Sequence, residues 1–223
     1  LEVQTLSLPD QQEYKGQPFP LALEVKTASL KEACAWARDN AADIEAQASE
    51  HGAVLLRGLP LASPEDFDAA VTAFGFPNFS YEESLSNACR INYTPRVFSA
   101  NEAPPEVTIF LHHEMAQTPI YPSKLFFFCQ TAPDEGGATP ICRSDILLDR
   151  LSERKPDFAE ACRTKGLKYS LTMAGEVDKN SGMGRSWQST FSADSREAAE
   201  ARMTNLNYTW QWQDNGDLRA TTP

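Results

Sequence analysis

Between Leu30 and Glu50 the residues Leu30, Ala33, Cys34, Trp36, Ala37, Ala41, Ile44 and Ala48 recur at intervals of three and four. That spacing puts side chains on one face of an α-helix. Ser29 precedes the run and Glu32 follows three residues later, which is a capping-box pattern, and His51-Gly52 supplies a C-cap. Residues 53–57 form a short apolar run closed by Gly58 and Pro60, and they predict a buried strand. Ser63-Pro64 opens a second helix that runs to about Phe74. Farther along, the pattern shortens. Residues 107–111, 124–129 and 138–142 are β-prone apolar runs, and 167–172 is another. Helices are expected over about 144–151, 156–163 and 198–203. Residues 208–212 alternate aromatic with polar, as a half-buried strand does.

Two stretches carry no clear period. Residues 1–28 are polar and broken by Pro9, Pro18 and Pro20, which predicts an extended arm with one short strand over 22–25. Residues 75–106 hold Pro77, Pro95, Pro104 and Pro105, together with Phe76, Phe79, Tyr81, Tyr93 and Phe98. A long aromatic-rich loop predicts an ordered cleft wall or lid rather than a disordered linker. Short strands with peripheral helices point to a mainly β sandwich or barrel with helical decoration, not a parallel doubly wound sheet.

Composition narrows the function classes. The 223 residues are 41% hydrophobic, enough for one sizeable domain. The net charge of −11 argues against nucleic acid and anionic membrane surfaces as partners. Five cysteines stand at scattered positions without a CxxC, which points to reduced thiols and a cytoplasmic enzyme rather than a disulfide framework. Cys129 and Cys142 lie in apolar runs and are expected to be small buried hydrophobes. No stretch has the length of a membrane-spanning helix.

The chemistry concentrates in Thr108-Ile-Phe-Leu-His-His-Glu-Met-Ala-Gln117. His112 and Glu114 are two apart, so on an extended backbone both side chains point to one face. His113 points to the other and is expected to be a supporting or surface residue. His113-Glu114 also begins an HExxH pattern, but position 117 is Gln, so a zinc-protease site is excluded. An imidazole and a carboxylate at this spacing, joined by a distant second imidazole, would make the facial triad of a non-haem iron site. His51 lies at a helix end and is expected to be structural. Trp187, Trp210 and Trp212 are expected to be core and strand-face aromatics.

Downstream come Pro122-Ser-Lys-Leu-Phe-Phe-Phe-Cys129 and Pro133-Asp-Glu-Gly-Gly-Ala-Thr-Pro140. With His112-x-Glu114 this order resembles the taurine dioxygenase / clavaminate synthase-like family of Fe(II)/2-oxoglutarate-dependent oxygenases. The resemblance extends to His51-Gly-Ala-Val-Leu-Leu-Arg-Gly58, Gly166-Leu-Lys-Tyr169, Arg185-Ser-Trp187 and Phe191, and so spans roughly residues 45–215. It implies a double-stranded β-helix (jelly roll), with Fe(II) held by His112 and Glu114. It implies 2-oxoglutarate as co-substrate, with one of its carboxylates bound by Thr139. Gly136 and Gly137 would allow the turn before Thr139. The substrate would be a small molecule, amino-acid-like or bearing a carboxylate or sulfonate, oxidised at a C–H bond. Asn92 and Arg96 are candidate substrate contacts, and a homo-oligomer is compatible with all of this. The family's second histidine and its 2-oxoglutarate-binding arginine have no counterpart here; Arg219 lacks the preceding histidine. The expectation is therefore a single incomplete oxygenase domain over 1–223 whose last strands lie beyond Pro223. The alternative is a non-catalytic homologue that kept the fold and lost the triad.

Overall fold

The computed structural model describes residues 1–80, 84–100, 102, 104, 106–181 and 183–222. The expectations on Tyr81 and Pro105 fall outside them. The chain divides into two compact units, Leu1–Pro77 with Phe126–Thr139, and Asn78–Leu125 with Pro140–Pro223.

The first unit is a small mixed sheet with two helices. Strands β1 (Glu2–Leu6), β4 (Leu21–Lys26) and β5 (Val54–Arg57) form a sheet in the order β1-β4-β5. β1 pairs antiparallel with β4, and β4 pairs parallel with β5, opposing Leu21 to Val54. β2 (Gln12–Tyr14) and β3 (Gln17–Phe19) make a hairpin. A parallel pair needs a crossover, which α1 (Leu30–His51) provides.

The caps of α1 are those its sequence demands. Ser29 accepts from the Glu32 amide, the Glu32 carboxylate accepts from the Ala28 amide, and Gly52 adopts φ 82°. Helix α2 (Pro64–Ala73) is capped by Ser63. Trp36 and Ala37 of α1 pack with Leu21, Leu23, Val25 and Phe74 to form the core. His51 is buried, with Nδ1 2.9 Å from the Pro18 carbonyl oxygen, and has the structural role expected of it. The N-terminal stretch is more structured than an arm with one strand, since it holds β1 to β4.

The second unit is built on an antiparallel sheet. β6 (Ser170–Met173), β7 (Thr209–Trp212) and β8 (Leu218–Thr221) run in the order β6-β8-β7. Helices α3 (Ser144–Arg154) and α4 (Pro156–Lys165) pack on each other, and α5 (Trp187–Phe191) packs on α6 (Arg196–Asn205), which lies against β7. Leu85, Met115, Met173, Phe191, Met203 and Leu218 are core residues. Trp187 meets Trp212 edge-on at 5.0 Å, and Phe191 meets Tyr208 edge-on at 5.8 Å. The tryptophans are thus core and sheet-face residues, as their spacing implies.

The elements are mixed sheets with helices rather than mainly β. The three strands expected over 107–111, 124–129 and 138–142 are the main correction. Among the described residues none of these runs joins a ladder. A strand is stable only when a neighbour takes its backbone bonds, and these runs meet none. Most of their apolar side chains stay exposed, Phe110 at 79% and Phe127 at 73%. Within the first unit, Phe128 stacks on Phe67 at 5.3 Å and Phe126 lies 5.5 Å from Phe74. Cys129 and Cys142 are consequently exposed, not buried, and all five thiols are free. No helix of the described residues is long and apolar enough to cross a membrane.

Candidate metal centre

His112 lies on an exposed segment outside helix and strand that enters a turn at Glu114. The turn is anchored by the next residue. Met115 is 3% exposed, belongs to the core of the second unit and has φ 59°. A left-handed conformation costs a non-glycine residue roughly 1–2 kcal/mol. Burial of the thioether offsets this, and so do the bonds around it. Thr118 closes the turn with its amide and hydroxyl, each 3.0 Å from the Met115 carbonyl oxygen. The backbone of Glu114 is therefore anchored to the core one residue away, while His112 precedes it on the exposed side.

The imidazole of His112 has Nδ1 2.6 Å from the Phe110 carbonyl oxygen. That contact requires Nδ1 to carry the proton, which leaves Nε2 as the lone-pair nitrogen. Metal-ligating histidines show this arrangement, one ring nitrogen donating to a carbonyl and the other binding the ion. His113 does something different: its Nε2 lies 2.5 Å from the Ser144 hydroxyl at the start of α3. At the same helix start, Arg143 grips Asp145 with Nε and Nη2 at 2.8 and 2.7 Å. That guanidinium holds the Asp145 carboxyl well below the usual carboxylate range.

Glu114 has a partner that the sequence did not single out. Arg90 Nη2 stands 3.5 Å from Oε1 and 3.4 Å from Oε2. Both side chains are largely shielded, at 14% and 20% exposed. Arg90 itself donates through Nη1 to the Ser99 carbonyl at 3.2 Å and lies over the Phe98 ring at 5.3 Å.

Arg90 sits at the base of a small antiparallel turn, with Asn92 bridged to Phe98, and Ser99 donating to the Ile91 carbonyl at 2.8 Å. The two substrate candidates occupy that turn. Asn92 is exposed, and the Arg96 amide is tied to the Thr94 hydroxyl at 3.1 Å. Position within the loop-rich stretch selected Arg96; a second arginine six residues earlier offered no separate signal in the sequence.

In the first unit, Gly136 and Gly137 have φ 68° and 66°, the left-handed region glycine favours. The double-glycine turn leads into Thr139, which is exposed.

An imidazole with Nε2 available and a carboxylate two residues on suit a divalent transition metal. Among the described residues there is no group of three or more His, Cys, Asp and Glu side chains that could hold an ion. Two donors fit; a third is not among the described residues.

Comparison with known proteins decides the lineage. The profile described as Taurine catabolism dioxygenase TauD, TfdA family matches residues 15–217. The chain belongs to the TauD/TfdA family. It is 36% identical over 219 residues to a clavaminate synthase-like protein of Arabidopsis thaliana, covering 95% of this chain and 66% of the relative. It is 26% identical over 173 residues to the dapdiamide synthesis protein DdaC of Enterobacter agglomerans, covering 78% of this chain and 49% of the relative. The chain thus spans about two thirds of the plant protein and about half of the bacterial one. Members of the TauD/TfdA family are typically Fe(II)/2-oxoglutarate dioxygenases acting on small molecules.

Proposed function

We propose that this protein is an Fe(II)/2-oxoglutarate-dependent oxygenase that oxidises a C–H bond of a small amino-acid-like, carboxylate-bearing or sulfonate-bearing molecule. The observation that carries the reading is the committed tautomer of His112. Its Nδ1–H is spent on the Phe110 carbonyl, so Nε2 faces the task of ligation two residues from the Glu114 carboxylate. Family membership supports the rest, including a double-stranded β-helix as the fold of the whole protein.

Iron bound with 2-oxoglutarate and O₂ would supply the oxidising chemistry. The chain's own residues hold and orient. His112 and Glu114 are two metal ligands, and the turn closed by Thr118 holds the backbone that carries the carboxylate. The Thr139 hydroxyl donates to a 2-oxoglutarate carboxylate. Asn92 and Arg96 are substrate contacts; a guanidinium there would recognise a carboxylate or sulfonate in a forked pair. The names of the relatives, clavaminate synthase-like and dapdiamide synthesis, are consistent with small-molecule substrates.

A second reading has its own observation. With two donors and no third among the described residues, the chain also fits a homologue that kept the fold without the full triad. Succinate release from 2-oxoglutarate by the intact protein separates the two. Turnover that requires both Fe(II) and O₂ supports the oxygenase. No succinate from folded protein with iron present supports the non-catalytic homologue.

A further inference from the structure

We propose that Arg90 is the positioning residue of the Glu114 carboxylate: it neutralises the acid in the metal-free protein and holds its non-ligating oxygen when a divalent metal is bound. The inference rests on the reading of Glu114 as a metal ligand and goes beyond it.

The geometry distinguishes this contact from an ordinary ion pair, and the same molecule supplies the comparison. Arg143 grips Asp145 in a fork, two nitrogens each within 2.8 Å of a different oxygen. Such a fork engages both carboxylate oxygens at full strength. Arg90 instead presents one nitrogen, Nη2, at nearly equal distances of 3.4 and 3.5 Å from the two oxygens. Those distances exceed the usual N–H···O range. Both oxygens share this one long contact, so either can turn to a metal while the other closes on the guanidinium.

The partner is also fixed independently of Glu114. The Ser99 carbonyl and the Phe98 ring hold the guanidinium, and the turn over residues 91–99 holds both of those. A preorganised donor of this kind orients a ligand rather than following it. Electrostatics requires some such group. A carboxylate only 20% exposed is costly without a counter-charge, and no metal is needed to meet that cost if Arg90 does so.

Titration of the intact protein with Mn(II) and Co(II), alongside melting of each metal-free variant, tests the proposal. Arg90→Leu and Arg90→Gln should each weaken metal binding by about 10–100-fold, the usual loss when a ligand's supporting hydrogen bond is removed. Arg90→Lys keeps the charge and one donor and should recover part of that loss. The Co(II) absorption spectrum of Arg90→Lys should differ from that of the parent, because the carboxylate is held differently. A merely structural arginine would leave the spectrum of any folded variant unchanged. Unchanged affinity in folded Arg90→Gln overturns the proposal. Tighter binding overturns it too, since the guanidinium would then be a competitor of the cation. Glu114→Gln separates the levels. If it binds metal as well as the parent, the ligand assignment itself fails. If it loses binding while Arg90→Gln does not, only the role of Arg90 fails. Should Arg90→Leu and Arg90→Gln fail to fold, Arg90→Lys decides by its affinity and spectrum: parental values in both overturn the proposal.

Discussion

The Nδ1 of His112 lies 2.6 Å from the Phe110 carbonyl oxygen, two residues back along the chain. The neighbouring His113 spends its Nε2 on the Ser144 hydroxyl. The adjacent histidines have diverged to different partners. His112→Ala should therefore abolish measurable Mn(II) binding, while His113→Ala should retain most of it and lower the melting temperature slightly. Equal losses in the two variants would mean that the register is wrong.

The turn before Thr139 should be intolerant at one glycine more than at the other. A Cβ on Gly137 would come 2.7 Å from Pro133 Cγ, whereas one on Gly136 meets nothing within 4 Å. Both have positive φ, so alanine costs about 1 kcal/mol at each from backbone alone. Gly137→Ala adds a collision with a stiff ring. Thermal denaturation should rank Gly137→Ala below Gly136→Ala, and both below the parent.

Arg185 should matter for stability rather than chemistry. Only 8% exposed, it donates to the carbonyls of Ser84 and Ser86 at 3.2 and 2.8 Å and to that of Ser189 at 2.5 Å. These bonds tie the segment before Arg90 to α5. Arg185→Met leaves three carbonyls to find other donors and should cost about 3 kcal/mol or more in denaturant unfolding. Lysine cannot reproduce the fork and should recover only part of this.

Alkaline stability should be limited by Tyr208. Burial pushes its hydroxyl up from 10.0 to about 12. The unfolded chain then ionises first, so it binds fewer protons than the native state between those values. The contribution is fully present below pH 10 and is lost as pH rises through 12. Tyr208→Phe keeps the edge-on packing against Phe191 and removes the ionisation. Its unfolding free energy should fall less steeply over that window than the parent's.

The helices were legible because their signals are local. Ser29, Glu32, Gly52, Ser63 and Pro64 specify ends without knowledge of the rest of the chain, and α1 and α2 lie where they predict. Strands were legible only where a partner exists. β7 and β5 form, but 107–111, 124–129 and 138–142 have the composition of strands without a described neighbour to pair with. β1 escaped notice for the opposite reason: it is a mostly exposed edge with no apolar alternation, held in place by pairing with β4. In the site, spacing alone put His112 and Glu114 forward. Arg90 was invisible because it lies 24 residues from Glu114, and only the folded turn over 91–99 brings its guanidinium to the carboxylate.

Anaerobic titration of the intact protein with Fe(II), with and without 2-oxoglutarate, tests the central claim most directly. A visible absorption band that requires both, and that disappears in His112→Ala and Glu114→Ala, is the expected result. Folded parent protein that takes up no iron and shows no such band, or a Glu114→Ala variant with undiminished affinity, would contradict it.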